Sequence, residues 1–127
     1  MPGHRDLVHH FADHAASVTY DALPQAAREA ARNSILDTLG VILAASGMEP
    51  AARGVAQIVA ESGGAAESTV LGFGGKAPPL MAALANGALA HGLDYDDQTP
   101  SGQHCSSSII PAVFALAGRR GGVAGRD

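Results

Sequence analysis

Apolar residues recur at helical spacing in five separate runs, and proline or glycine brackets nearly every one. That pattern excludes a large sheet and predicts an all-α chain of about five helices, bundle-like in arrangement. The first helix is expected over about residues 4 to 18, with Leu7, Val8, Phe11, Ala15 and Val18 on one stripe. The second starts at Pro24, whose missing N–H costs nothing in a first turn, and runs to about Ala45. Ala27, Ala31 and Ile35 make its early half one-sided, whereas Ile35 to Ala45 is apolar nearly all round and reads as buried. Ser46-Gly47 is expected to stop it.

A third helix follows Pro50, with Val55, Ile58 and Val59 inward, and ends at Ser62-Gly63-Gly64. Ser68-Thr69-Val70-Leu71-Gly72 breaks the pattern and predicts one short extended segment packed on the helices. Pro78-Pro79 opens a fourth helix to about residue 92, with Leu80, Met81, Leu84, Ala85 and Ala88 on its buried side. A polar loop follows. The last helix covers about Ser106 to Gly118, and Pro111 fits only in a first turn, so Ser107 or Ser108 is the expected cap. Residues 118 to 127 read as loop.

These helices must pack with little bulk. Only 4% of the 127 residues are aromatic, and Trp is absent. Burial stabilises by roughly 25 cal/mol per Å², so small side chains leave such a domain marginal and in need of a partner surface. That surface is either more of its own chain or a second copy, a homodimer being the expectation. The formal charge of −4 comes with mixed signs. Arg119-Arg120 is too short a basic run for nucleic acid. Cys105 stands alone, so no internal disulfide forms and a reducing, cytoplasmic setting is expected. Met1 to Asp6 is polar and argues against a secretory signal. No apolar run reaches about 18 residues, so no membrane span is expected.

Chemistry concentrates between Asn86 and Ser108. His91, Asp94, Asp96, Asp97 and His104 lie at the junction of two apolar helices. Crowded carboxylates repel and raise at least one pKa unless donors lie near. Asp96 and Asp97 read equally well as caps and turn residues. A metal site from His91, Asp94 and His104 is conceivable, but the spacing matches no compact zinc motif. An EF-hand is excluded because its glycine and closing glutamate are missing. His104 and Cys105 are adjacent and do not face each other, so Cys105 reads as a buried small side chain. Lys76 after Gly72, Gly74 and Gly75 lacks the Ser or Thr of a phosphate loop. What remains is acid–base chemistry, with His104 as the proton carrier and Asp94 as its orienter.

Six pieces in order resemble the MmgE/PrpD family: Leu23-Pro24, Leu36 to Gly40, Ser68 to Gly72, Ala82 to Gly87, His91 to Asp97, and His104 with Pro111-Ala112. That family includes 2-methylcitrate dehydratase, cis-aconitate decarboxylase and related epimerases. The resemblance implies a large helical domain assembled from the front and rear of a longer chain, with a smaller α/β domain inserted and the site in the cleft between them. Residues 1–127 resemble the front of that helical domain, and Gly122 to Asp127 resembles the start of its next helix, so a truncated product is expected. By resemblance, Asp94 and His104 line the site. The family's usual threonine falls on Gln98, with Thr99 beside it, and Cys105 replaces a proline. Gln98, Thr99, His91 and Asn86 complete the expected substrate contacts.

The implied activity is that of a lyase or isomerase, removing a proton next to a carboxylate of a small polycarboxylic acid without metal or cofactor. Such a substrate needs cations, and Asn86 to Ser108 holds no Lys or Arg. The chain alone is therefore expected to be inactive. A non-catalytic helical oligomerisation module is the alternative, and a metal-dependent hydrolase using the aspartates is a third reading.

Overall fold

The structure is a computed structural model that describes residues 5–127. The expected helix start at His4 and the polar stretch Met1 to His4 lie outside the described residues. Five α-helices carry the fold: α1 (Leu7–Ser17), α2 (Gln25–Met48), α3 (Pro50–Glu61), α4 (Pro79–His91) and α5 (Ser106–Arg120). A short 3-10 turn, Tyr20–Ala22, links α1 to α2. Two minimal strands, β1 (Ser68–Thr69) and β2 (Lys76–Ala77), pair antiparallel, with Ser68 opposite Ala77 and Thr69 opposite Lys76. The expected all-α architecture is what forms. Among the described residues no single helix is long and apolar enough to cross a membrane.

α4 is the axis of the packing, in contact with α2, α3, α5 and both strands. One side joins Ile42 and Ala45 of α2 to Ala52, Leu89 and Ala90. The other joins Ala82 and Ala85 to Val59, Val70, Ala77 and Ala115. Phe73 packs against both clusters. Ile42 and Leu89 are the largest side chains fully withdrawn from solvent, and each such burial stabilises by about 1.5–3 kcal/mol.

Several expectations need correction. α2 runs through Ser46-Gly47 to Met48. Pro50 ends it instead, because a residue before proline is pushed out of the helical region. Glu49 is accordingly extended at φ −108°, and its carboxylate accepts the Ala51 amide at 2.8 Å to open α3. The apolar half of α2 is buried on one face only, with Leu36 and Leu43 exposed. On α3, Ile58 is exposed and Ala52 takes the inward position. On α4, Leu80 and Leu84 face outward, while Ala82, Ala85, Asn86, Leu89 and Ala90 are buried. α4 is so uniformly apolar that periodicity cannot choose its face, and the small alanines win where helices approach closely. α1 buries none of its residues, so its stripe from Leu7 to Phe11 is open.

α5 begins at Ser106, ahead of the expected caps, and Pro111 lies inside it beyond the first turn. Proline removes the amide that the Ser107 carbonyl would otherwise accept. That carbonyl instead faces Gly87 of α4, 3.7 Å from where a Cβ would stand. Cys105 is exposed, not buried.

The extended segment at 68–72 is one arm of a hairpin whose second strand the sequence reading missed. Val70 N–H donates to the Gly75 carbonyl at 3.1 Å and Gly74 N–H returns to Val70 at 3.1 Å. Gly72 turns at φ +78°, and a Cβ there would stand 2.9 Å from Ser46 Cβ and 3.4 Å from the Ile42 carbonyl. Glycine is required twice over, for the left-handed backbone and for the approach to α2. Gly72→Ala is expected to destabilise the chain by about 1–3 kcal/mol, read as a lower urea midpoint at unchanged slope. An unchanged midpoint would mean that the loop does not seat on α2.

Candidate functional site

The connection between α4 and α5 folds back on itself and brings its two ends together. His91 is the last residue of α4, and His104 lies just ahead of α5. Their rings sit 5.0 Å apart, tilted by 62°. The Asp96 carboxylate lies between them, its side chain 0% exposed. His91 Nδ1 approaches Asp96 Oδ1 at 3.0 Å, and His104 Nδ1 approaches Oδ2 at 3.3 Å. The second contact has ion-pair distance without hydrogen-bond alignment, so His104 Nδ1 faces the carboxylate but makes no hydrogen bond to it.

Asp94 adopts φ +56°, the left-handed region that Asp tolerates better than most residues. Its amide donates to the His91 carbonyl at 3.1 Å, closing a turn. The turn sets its exposed carboxylate 3.8 Å from His104 Nε2. The expected pair, Asp94 and His104, thus converges. Asp96 is the carboxylate buried between the rings, a role the sequence reading left undecided between cap and function.

Burial raises the Asp96 pKa, but hydrogen bonds from Ser107, from His91 and from its own backbone, with the charge of His91, outweigh it and leave the carboxyl below its ordinary 3.8. The group is therefore an anion at neutral pH. At His91, whose Nδ1 meets this acceptor within a hydrogen bond, the tautomer protonated there is favoured, which leaves its Nε2 as the basic nitrogen.

Asp97 does a different job. Its Oδ2 accepts Ser106 Oγ at 2.6 Å and Ser34 Oγ at 3.0 Å, tying the start of α5 to α2. Of the expected contacts, Asn86 is fully buried away from the cluster. Its Oδ1 accepts the Leu71 amide at 2.7 Å, and its Nδ2 donates to the Thr69 carbonyl at 3.0 Å. Thr99 is used inside its own loop, where Oγ1 accepts the Gln103 amide at 3.1 Å. Gln98 is exposed, its amide beside Gly102.

His91 and His104 stand on the wall of a cleft of about 470 Å³ between α3, α4 and α5. Val55, Leu84, Ala88 and Ala112 make it apolar, and Ser107 and Ser108 add hydroxyls; among the described residues no Lys or Arg lines it. The arrangement can move a proton, and it offers little fixed positive charge to an anionic substrate.

No curated protein matches the chain. A family model described as the MmgE/PrpD N-terminal domain matches residues 9–127, from α1 through the described end of the chain. This match covers nearly the whole chain, and the chain belongs to the MmgE/PrpD family through its N-terminal domain.

Proposed function

We propose that this chain supplies the proton-transfer wall of a dehydratase-family lyase or isomerase that acts on small polycarboxylic acids without metal or organic cofactor. The observation that carries the reading is His104 itself. Buried Asp96 faces its Nδ1 side, Asp94 lies 3.8 Å from its Nε2, and the ring opens on the cleft. In this reading Nε2 takes the proton next to a substrate carboxylate and Asp94 helps to place the ring. General acid–base catalysis of this kind is worth about 10²–10⁴-fold. Elimination and epimerisation begin at that step, whereas decarboxylation breaks the C–C bond to CO2 and would use the protonated ring to deliver a proton to the carbanion left behind.

A polycarboxylate also needs charge complementarity, and among the described residues the cleft wall holds only the two imidazoles as potential cations. The remaining cations come, in this proposal, from other parts of the family's helical and α/β domains. Exposed Leu36 and Leu43 on α2, and Ile109, Val113 and Leu116 on α5, are apolar faces suited to such a surface or to a second copy in a homodimer. The purified 127-residue chain is therefore expected to show no turnover of cis-aconitate, 2-methylcitrate or similar acids. Measurable, enzyme-dependent loss of substrate by proton NMR would overturn that expectation.

A further inference from the structure

We propose that the His91–Asp94–Asp96–His104 cluster also binds one late first-row divalent cation, with Zn²⁺ as the probe, and that the ion competes with proton transfer. This rests on the reading of His104 as the proton carrier for its second half only. One ligand atom from each of the four residues lies within 4.8 Å of the others. Two imidazole nitrogens and two carboxylate oxygens suit Zn²⁺, whose bonds to such ligands are about 2.0–2.2 Å. Mg²⁺ and Ca²⁺ prefer sets made of oxygen alone.

The geometry needs little rearrangement. Both Nδ1 atoms already face the Asp96 carboxylate, at 3.0 and 3.3 Å. Ligands that share a centre at zinc distances stand about this far apart. Asp94 is 79% exposed and free to swing the remaining distance. The linear spacing hides the set, because the donors meet only when the loop from Gly92 to Gln103 closes the junction. An ion held by the Nδ1 atoms takes their lone pairs, and coordination requires neutral rings, so each ring then carries its one proton on Nε2. A coordinated His104 cannot accept a substrate proton, so occupancy and catalysis exclude each other.

The test is calorimetric titration of the full 127-residue chain with Zn²⁺, with Co²⁺ absorption reporting the nitrogen and oxygen ligands. His10 and His14 stand one turn apart on exposed α1, so both are first replaced by glutamine to remove a competing pair. One Zn²⁺ per chain is expected, with Mg²⁺ not competing. His91→Gln is expected to weaken binding by about tenfold or more. The His91 ring is 54% exposed, so this variant tests the site without emptying the core, and circular dichroism checks its fold. Asp96→Asn, at the buried centre, is expected to weaken binding further. No Zn²⁺ binding, binding untouched by His91→Gln, or equal affinity for Mg²⁺ overturns the metal site. Because the readout is binding, such a failure leaves the proton-transfer reading standing. Loss of activity in the His104 variant decides that reading separately.

Discussion

Replacing His104 by glutamine is expected to lower turnover by about 10²–10⁴-fold, the usual worth of a placed acid or base. The assay belongs in a polypeptide where this chain is joined to the remaining parts of an MmgE/PrpD enzyme. Glutamine keeps the length and polarity of the ring and can still donate towards Asp96, but it cannot carry a proton. The loss is therefore expected in kcat, with KM nearly unchanged, because a transition-state interaction is removed. Asp96→Asn supplies the positioning control. It keeps the shape of the side chain and removes the anion that faces His104 Nδ1 at 3.3 Å. It is expected to cost less than the loss of the ring and to shift the pH profile, which a purely structural role would not do. A drop of less than about tenfold in His104→Gln would remove this residue from the proton-transfer role.

The two histidines and the aspartate crowding were legible because residue type and spacing are local properties. The rank order of the aspartates was not. Which carboxylate turns inward depends on the left-handed turn at Asp94 and on where α5 begins, and both are set by packing. The helices were legible for the same local reason, and their faces were less so. Leu80 and Leu84 outrank Ala82 and Ala85 in hydrophobicity, yet the alanines are buried because α2, α3 and α5 crowd α4 from several sides. The hairpin partner Lys76–Ala77 carries too few residues to show a period of two. Asn86 read as a substrate contact because it lies in the stretch that resembles the family and carries the histidines and aspartates. Its direction, towards β1 and away from the cleft, is a property of the helix in its tertiary setting.

That direction leads to the second large expectation, that Asn86→Ala destabilises the chain by about 3 kcal/mol. Asn86 is fully buried and serves as a two-atom clamp between α4 and the β1 arm of the hairpin, accepting from Leu71 and donating to Thr69. Alanine leaves the part-buried Leu71 amide and Thr69 carbonyl without these partners, and each orphaned group costs about 1–3 kcal/mol. It also removes side-chain volume from a position with no solvent exposure, which opens a small void. In a chain of this size the melting temperature is expected to fall by on the order of 10 °C. Asn86→Asp separates the two bonds. Its carboxylate still accepts from Leu71 but faces the Thr69 carbonyl with lone pairs, so it should be no better than alanine. A substrate contact behaves in the opposite way: its loss raises KM and leaves the melting temperature where it was. If Asn86→Ala melts with the parent chain while the complete enzyme loses substrate affinity, the clamp is wrong and Asn86 returns to the binding site.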